Sequence, residues 1–506
     1  MVISSWRTYD KYITAEGFGG NLYHIKRDLM MSNFFANARL NERNLLLDTD
    51  SYKASHYRQY APGTGYVQSY IEARAPNGDI DYTLFFGLQA YLMQVLSQPI
   101  CQDDIDEADA VFTAHGEPFN RTGWQHIVDM HGGKLPIRIR AVKEGTILPV
   151  RQVQLVIENT DPAAYWLPSY LETSLLRAIW YPTTVATNSW ANVELIGAAL
   201  EKSDGSREGL PFKLHDFGAR GATSREQAGI GGAAHLIASL GTDTVSGLLF
   251  ARNYYGADMA GFSIPAAEHS TMTSWGGAPG EVEAMENMLT QFPTGLVAVV
   301  SDSYDLMHAI NHHWGETLRE QVLARDGILV VRPDSGEPTE IVPAVIEALM
   351  DKFGEQTTST GYRLLNDKVR VIQGDGITRE SLKAILAEMD ARKLAVGNVA
   401  FGMGAGLLQK MDRDTYSYAM KASAAQINGA WVDVYKDPVT AKGSKTSKRG
   451  RLALTWSQAK GYQTHEQVSD AGVPGDLLET VFENGEIKRT QTFEEIRAQA
   501  AETFTK

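Results

Sequence analysis

The stretch ILVVRPDSG, residues 328–336, is a continuous apolar run that ends in charged and turn-forming residues. Six other stretches between residues 212 and 406 have the same pattern, and helical spacing follows them: FKLHDFGARG (212–221), GTDTVSG (241–247), GFSIPAAEHS (261–270), LVAVVSDSYD (296–305), VRVIQGDGIT (369–378) and VAFGMGAG (399–406). Strands that are buried on both faces have consecutive apolar residues, and helices between them imply parallel pairing. The seven units predict an irregular α/β (TIM-like) barrel, with an open doubly wound sheet as the alternative.

The segments on either side of these units have a different pattern. Residues 135–150 and 153–159 alternate apolar with polar side chains, which predicts the strands of a small sheet. Short strands return after about residue 430, followed by a helix from Phe493. We therefore predict a barrel domain at 181–424 and a second, smaller mixed α+β domain built from 42–180 and 425–506.

Helical spacing also appears at residues 84–98, 163–180 and 190–203. Residues 1–41 are interpreted as an N-terminal extension. Either translation starts downstream, at Met30 or Met31, or the extension is an arm that packs on a partner subunit.

Charge and composition exclude some classes of function. The chain of 506 residues has 47 basic and 61 acidic residues, a net charge of −14, which argues against nucleic acid as a partner. Cys101 is the only cysteine, so an intrachain disulfide is impossible and a reducing compartment fits. No apolar run approaches the roughly 18 residues of a membrane span, and the start lacks the pattern of a secretory signal. We expect a cytoplasmic protein that binds neither membranes nor nucleic acid.

The predicted strands end in an unusual number of charged residues. In a barrel, functional groups lie at the carboxyl ends of the strands. This pattern places ten candidates there: His215, Asp216, Asp243, Glu268, His269, Asp302, Asp305, Arg332, Asp334 and Asp375.

Two glycine-rich turns predict a phosphate site. Gly374 to Gly376 and Gly402 to Gly406 each follow an apolar run and precede a helical one, where free N–H groups suit phosphate. Plain tight turns are the alternative. Arg220, Arg332, Arg413 and Lys421 would supply cations, although each alone is typical of a surface ion pair.

Carboxylates and one histidine add possible chemistry. Asp302, Asp334 and Asp375 fit Mg²⁺ held through oxygen ligands, with helix capping as the alternative for Asp302 and Asp334. His269 fits a nucleophile or base oriented by Glu268 or another carboxylate. A structural histidine is the alternative.

Nine motifs, in order and with matching spacing, resemble the nicotinamide phosphoribosyltransferase family. They are NLLLDTDSYKASHY (44–57), KLHDFGARG (213–221), GTDTVSG (241–247), PAAEHST (265–271), VVSDSYD (299–305), VVRPDSG (330–336), IQGDGI (372–377), GLLQKMDRD (406–414) and VYKDPV (434–439). The resemblance covers about residues 42–500. It implies a homodimer with shared active sites that joins nicotinamide to phosphoribosyl pyrophosphate, with Mg²⁺ as cofactor and ATP as coupling co-substrate in NAD salvage.

The resemblance also implies roles for residues within these motifs. Phe217 would stack on the pyridine ring, with Tyr52 of the other subunit on the opposite face. Asp243 would accept from the carboxamide NH₂. Asp50 and His215 also belong to the substrate site that the motifs imply.

The sugar and the phosphates have their own implied residues. Arg332, Asp334 and Asp375 would line the base and the ribose. The implied phosphate site consists of Gly374, Gly404, Ala405 and Arg220, with Arg413 and Lys421 from the partner subunit.

His269 is similar to the histidine that ATP phosphorylates, and Asp302 and Asp334 complete the implied catalytic group. The metal ligands are not assigned.

The sequence departs from the family pattern at three positions. Ala219 replaces a tyrosine, Ala405 a glycine and Ala419 a serine. We expect a lost side-chain hydroxyl to weaken phosphate affinity modestly, whereas backbone N–H contacts survive the change from glycine to alanine where the dihedral angles allow it. The rival interpretations are a nicotinate phosphoribosyltransferase and a non-catalytic ligand-binding protein on the same fold. An anionic Asp243 argues against the first, and the intact charged strand ends argue against the second.

Overall fold

The computed structural model describes residues 44–438 and 446–505, and the predicted extension at 1–41 lies outside them. Its strands are β1 Thr64–Glu72, β2 Tyr82–Leu84, β3 Ile137–Ala141, β4 Ile147–Pro149, β5 Leu155–Asn159, β6 Leu214–Asp216, β7 Gly241–Thr242, β8 Thr294–Val300, β9 Asp326–Arg332, β10 Glu355–Thr357, β11 Arg363–Leu365, β12 Val369–Gln373, β13 Val399–Met403, β14 Ala419–Ile427, β15 Ala430–Asp433, β16 Ala453–Ser457, β17 Gly461–His465, β18 Glu479–Glu483 and β19 Glu486–Ile487.

The helices surround and connect these strands. They are α1 Leu88–Tyr91, α2 Gln102–His115, α3 Arg121–His131, α4 Leu167–Tyr170, α5 Glu172–Asp204, α6 Arg225–His235, α7 Val245–Tyr255, α8 His269–Thr273, α9 Glu281–Gln291, α10 Leu306–His308, α11 Arg319–Ala324, α12 Pro338–Phe353, α13 Arg379–Ala391, α14 Ala405–Leu408 and α15 Phe493–Phe504. A π-helical segment at Leu92–Leu96 continues α1, and another at Ala309–Thr317 continues α10. No helix in the described ranges combines the length and apolar character needed to cross a bilayer.

A six-stranded parallel sheet forms in the order β7-β6-β13-β12-β9-β8. Its strands are buried at consecutive positions, as at Val297–Val300 in β8, because helices cover the sheet. The sheet curls, and residues 262–267 hydrogen bond to both of its edges. The Phe262 carbonyl accepts from Thr242 N of β7 at 3.0 Å, and Ala267 N donates to Ala298 O of β8 at 2.9 Å.

The second large sheet is antiparallel, in the order β15-β14-β1-β5-β3-β18-β19. Strands from both ends of the sequence therefore build one layer. Alternate residues of β3 are buried, as its apolar and basic alternation predicts, and Arg138 on the other face is 3.0 Å from Glu158 of β5. Of the late segments, 453–457 pairs only with β17 and stays outside this sheet.

The helical predictions at 163–180 and 190–203 need correction, because α5 is one helix of 33 residues. The intervening segment is helical despite Pro182, which lacks the N–H that would bond to the carbonyl of Ala178. Gly87, at φ +106°, packs against that carbonyl and the Pro182 ring, where a Cβ would come within 2.4 Å of proline Cγ. The helix predicted from residue 84 begins at Leu88, because residues 82–84 form β2.

Two large hydrophobic cores lie in the described ranges. One covers a face of the parallel sheet, and the other lies beneath the antiparallel sheet. A small third cluster, formed by Ala298, Val330 and Ile372, lies on the opposite face of the parallel sheet. The predicted boundaries after residues 180 and 424 fall within α5 and β14. Helix α5 contributes to both cores, whereas β14 belongs to the antiparallel sheet. Helix α15 packs into the parallel-sheet core through Phe493, Ile496 and Ala500.

Glu144 is a buried carboxylate that joins distant segments. It accepts from Gln89 N at 2.5 Å, from Gly87 N at 3.0 Å and from the Tyr255 hydroxyl at 2.9 Å. Its own backbone exchanges two hydrogen bonds with the Gln491 side chain, at 2.8 and 3.1 Å. Burial raises the pKa of this carboxyl, while the donors favour its charged form.

Glu144→Ala is expected to lower the free energy of unfolding by about 3 kcal/mol or more, because three buried donors lose their acceptor. Glu144→Gln should cost less, since the amide keeps one acceptor oxygen. Glu486→Ala is the matched control at an exposed ion pair with Lys134 and should leave the free energy of unfolding close to that of the wild type. Urea unfolding measures all three, and an equal loss in the alanine variants would contradict the role given to Glu144.

Candidate active site

The parallel register brings the predicted strand ends together. Asp216 of β6 lies beside Met403 of β13, and Arg332 of β9 lies beside Val300 of β8. Residues that follow these strands therefore share one edge of the sheet.

Phe217 lies directly against the backbone of the neighbouring strands. Its N–H donates to Met403 O at 3.0 Å. A Cβ on Gly402 would lie 2.0 Å from the ring, and one on Gly374 would lie 3.0 Å from it. The Arg332 guanidinium carbon lies 5.9 Å from the ring centroid. The ring is thus a half-buried aromatic platform seated on glycines beside a cation.

A polar network links the ends of β8 and β9. Arg332 Nη2 donates to Asp334 Oδ1 at 2.6 Å. Asp302 Oδ2 accepts from Asp334 N at 3.0 Å and from Ser335 Oγ at 2.5 Å. These bonds fix two carboxylates and one guanidinium relative to each other.

His269, the first residue of α8, faces this network. Its Nδ1 lies 3.1 Å from Ser303 Oγ, and its Nε2 lies 3.4 Å from Asp334 Oδ2 and 3.8 Å from Asp302 Oδ1. The side chain is 46% exposed. The Glu268 carboxylate instead accepts from Ser270, so the aspartates are the carboxylates that face His269. A solvent-accessible imidazole held in this way suits nucleophilic or base chemistry.

One carboxylate oxygen in the network has no donor. Asp302 Oδ1 is buried and accepts no hydrogen bond among the described residues, and its side chain is only 4% exposed. Arg332 Nε, a donor, is also buried without a partner there. Such groups are costly in a finished core and are typical of positions that bind a ligand or an ion.

Asp243 and His215 lie at the ends of β7 and β6. Ser263 donates its hydroxyl to Asp243 Oδ1, and Asp243 N donates to Asp216 O at 3.0 Å. His215 Nε2 lies 3.0 Å from Phe212 O, and burial lowers the pKa of its imidazole. The imidazole is therefore mainly neutral at pH 7 and leaves the charge of the exposed Asp243 uncompensated.

Asp216 is a buried carboxyl beneath the platform. Burial raises its pKa to about 6, although Gly218 N donates to Oδ1 at 2.7 Å. Its other oxygen has no partner among the described residues. It was a strand-end candidate in the sequence and lies under the site.

The predicted phosphate turns are neighbours of the platform. Gly374 contacts Phe217, and Gly404 caps α14. A Cβ on Gly221 would lie 3.2 Å from Ala405 Cβ, so the turn that carries Arg220 packs on the turn after β13. The Arg220 and Asp375 side chains are both exposed, and neither forms an ion pair within the described ranges.

The remaining predicted residues, which we call the second group, are Asp50, Tyr52, Arg413 and Lys421. Glu172, at the start of α5, pairs with Lys53 at 2.6 Å and lies 3.7 Å from Lys421. Asp50 accepts from Thr173 Oγ1 at 2.7 Å, and Tyr52 is 54% exposed.

Arg413 donates to Tyr418 O at 2.7 Å, and burial lowers the pKa of Lys421. Within residues 44–438 and 446–505, no hydrogen bond or ion pair joins Tyr52 or Lys421 to the His269 network.

Sequence reasoning missed the hydroxyls that position the charged groups. Ser263, Ser303 and Ser335 each contact a predicted site residue. Ser303 and Ser335 each follow an aspartate directly, whereas Ser263 has no charged neighbour within four residues. For Ser303 and Ser335 that position was the only available signal, because serine is common in ordinary turns.

Two family models identify the chain, with its curled parallel sheet and charged strand ends, as a phosphoribosyltransferase. A family model described as the nicotinate phosphoribosyltransferase (NAPRTase) family matches residues 212–486, and the nicotinamide phosphoribosyltransferase N-terminal domain matches 44–139. The first match spans more than half of the sequence, so the chain belongs to the nicotinate phosphoribosyltransferase family. The resemblance to nicotinamide phosphoribosyltransferases, inferred from nine motifs, is confirmed by these matches and by the relatives described next.

Similar proteins agree with this assignment. The chain is 54% identical over 464 residues to the nicotinamide phosphoribosyltransferase of Xanthomonas campestris pv. campestris (strain 8004), covering 90% of this chain and 98% of the relative. It is 32% identical over 504 residues to the enzyme of that name from Acinetobacter baylyi (strain ATCC 33305 / BD413 / ADP1), covering 92% and 99%.

A solved structure has the same fold. The nicotinate-nucleotide pyrophosphorylase from Pyrococcus furiosus superimposes with a TM-score of 0.58 at 16% identity, over 92% of this chain and 97% of that chain. At this identity the likeness shows the fold alone.

Gly402→Ala is expected to push the Phe217 ring out of place and to lower the free energy of unfolding by about 1–3 kcal/mol through overpacking. Gly404→Ala is the matched control, because its nearest atom would be 3.6 Å away, an ordinary contact. Denaturant unfolding and the near-ultraviolet signal of the aromatic residues report both effects. Equal stability of the two variants would refute the close packing of Phe217 on β13.

Proposed function

We propose that the chain joins nicotinamide to phosphoribosyl pyrophosphate and forms nicotinamide mononucleotide and pyrophosphate. One observation carries this proposal. An aromatic platform, Phe217, follows β6, and a carboxylate without an ion-pair partner in the described ranges, Asp243, follows the neighbouring strand β7. The relatives named above, which carry this activity in their names, support it.

Charge favours the amide over the acid. Asp243 accepts hydrogen bonds but repels anions, and the neighbouring His215 is mainly neutral because burial lowers its pKa. A carboxamide offers an NH₂ donor, whereas nicotinate would bring a second negative charge. Nicotinate is therefore the weaker second candidate, and the charged strand ends disfavour a non-catalytic role.

The reaction exchanges one bond at the ribose. The bond from C1 to the pyrophosphate oxygen breaks and its electron pair leaves with pyrophosphate, while the pyridine nitrogen forms the new bond to C1. Stacking on Phe217 would orient the nitrogen, and the Arg332–Asp334 pair would hold the ribose. Backbone N–H groups of Gly374, Gly404 and Ala405, together with Arg220, would bind phosphate oxygens.

The network around Asp302 fits Mg²⁺. Asp302 Oδ1 is buried without a donor, and carboxylate oxygens are the ligands that Mg²⁺ prefers. Asp302 and Asp334 would hold the ion, and the exposed Asp375 is a third candidate. Bound Mg²⁺ would offset the charge of the departing pyrophosphate.

His269 supports coupling to ATP. In the tautomer whose Nδ1 proton is donated to Ser303 Oγ, the Nε2 lone pair faces the network. Nε2 would form a bond to the γ-phosphorus of ATP while ADP leaves with the electron pair, and water would later cleave the phosphohistidine. The added charge would organise the substrate site before that cleavage.

The second group of residues supports a homodimer with shared sites. Asp50, Tyr52, Arg413 and Lys421 make local contacts in their own chain and no polar contact with the His269 network in the described ranges. An exposed aromatic ring and a partly buried lysine there would complete the active site of a partner subunit.

Two further expectations follow from the fold and the reaction. The bonds of residues 262–267 to both edge strands support an irregular barrel that closes through this segment, with the second, mixed domain beside it. The product, nicotinamide mononucleotide, is a nucleotide that forms one half of NAD, which supports a role in NAD salvage.

Asp243→Asn should raise kcat/KM for nicotinate relative to nicotinamide by at least about 10-fold, because one charge repulsion disappears. The measurement is a competition assay with both bases and labelled phosphoribosyl pyrophosphate. Asp258→Asn, at an exposed position after α7, is the control and should leave the ratio unchanged. If Asp243→Asn discriminates as strongly as the wild type, the specificity role is wrong.

Arg332→Ala and Tyr52→Ala chains should each be inactive alone, yet mixed dimers should regain about half of the wild-type activity, since one of two shared sites is intact. Purified heterodimers with different tags measure this complementation. An inactive heterodimer would exclude sharing of the site by Tyr52 and Arg332.

His269→Ala should abolish ATP hydrolysis and the ATP-dependent gain in product, while slow ATP-independent synthesis remains, because ring attack needs no phosphohistidine. Ser303→Ala should reduce ATP hydrolysis less severely, since the nucleophile is kept but loses its orientation. His115→Ala, at an exposed helix end, serves as the control. ATP hydrolysis that persists in His269→Ala at the wild-type rate would defeat the assignment.

A further inference from the structure

Two histidines and one aspartate meet in the antiparallel part of the molecule, on elements that the proposed reaction does not use. His126 and His131 belong to α3, and Asp161 follows β5 by two residues. The Nε2 atoms of the two histidines lie 2.8 and 2.6 Å from the same atom, Asp161 Oδ2. One ligand atom from each residue lies within 4.8 Å of the others.

Local structure directs the aspartate toward the histidines. Asp161 Oδ1 accepts from Ala163 N at 2.8 Å and so caps the short turn Pro162–Ala164. The Asp161 carbonyl accepts from Asn159 Nδ2 at 2.8 Å. With Oδ1 engaged and the backbone anchored, Oδ2 is left for the two imidazoles.

The donor set has the chemistry of a d-block metal site. Two imidazole nitrogens and one carboxylate oxygen are a common set for Zn²⁺, with water completing a tetrahedron. The side chains are 33%, 29% and 18% exposed, so an ion and its water have access. Neither imidazole makes another hydrogen bond within the described ranges, so each ring is free to carry its proton on Nδ1.

We propose that His126, His131 and Asp161 bind one divalent d-block cation, Zn²⁺ or Co²⁺, which fastens the end of α3 to the end of β5. His131 is the last residue of α3, so the ion would join a helix terminus to the segment that leaves the sheet. Binding to the folded state alone stabilises that state by mass action. The site is structural and is separate from the network around His269.

A hydrogen-bonded triad with no metal affinity is the competing explanation, and the two differ in binding.

Co²⁺ titration of tag-free full-length protein, followed by visible absorption and by calorimetry, tests the site. The wild type should bind Co²⁺ with the intense bands of a tetrahedral centre, and Zn²⁺ should displace it. His131→Ala should weaken binding by at least about 10-fold, since even loss of residues behind the ligands costs 10- to 100-fold. Zn²⁺ should raise the Tm of the wild type and not that of this variant.

Asp161→Asn separates metal binding from folding. Asparagine keeps the Oδ1 cap on Ala163 N but replaces the liganding Oδ2 with an NH₂ group. It should fold normally and lose the Co²⁺ bands. His115→Ala, an exposed histidine on α2, should bind like the wild type. Equal Co²⁺ affinity in the wild type, His131→Ala and Asp161→Asn, or no binding by the wild type, would overturn the proposal.

Discussion

The hydrogen bonds between the parallel strands of the six-stranded sheet, from β7 at one edge to β8 at the other, set the geometry on which the site depends. The ladder fixes which residues are neighbours, so that Asp216 meets Met403 and Val300 meets Arg332. A shift of one residue in any strand would turn its side chains to the opposite face. The charged groups are therefore positioned by backbone pairing, and the serines at the strand ends adjust only their final orientation.

Two glycines leave the space that the Phe217 ring needs beside these strands. Phe217 comes close to β13 because Gly402 has no side chain. Gly374, directly after β12, leaves space for the other side of the ring. An aromatic ring seated on backbone is held without polar groups of its own. Arg332 Nε, next to the ring, and Asp302 Oδ1, in the adjoining network, have no hydrogen-bond partner among the described residues, which is typical of a surface that binds a ligand.

Much of this was predictable from the sequence. Continuous apolar runs that end in polar turns correctly predicted six of the seven parallel units, because burial on both faces leaves that pattern in each strand. The seventh, 261–270, was wrong as a strand, since it makes only isolated bridges to β7 and β8. The same rule put Asp302, Arg332 and Asp334 at one edge, where they form a network. The nine motifs identified the family, because their order and spacing leave little room for chance.

The unpredicted features depend on contacts between distant residues. Periodicity around Pro182 suggested a break, yet packing against Gly87 keeps α5 continuous. Ser303 carries no local signal for its contact with His269, 34 residues away. The contact of His126 and His131 with Asp161 also becomes visible only in the folded chain, because the spacing of the two histidines does not indicate which distant carboxylate they meet.

The place of α15 has a consequence for synthesis of the protein. Phe493 and Ile496 fill the parallel-sheet core, and Gln491 bonds to Gln89, 402 residues earlier in the chain. The strands of the parallel sheet therefore leave the ribosome before the helix that closes their core has been synthesised. Until then apolar surface stays uncovered, a condition in which long chains tend to aggregate and chaperones act. The parallel-sheet core is completed only once residues 493–500 are available.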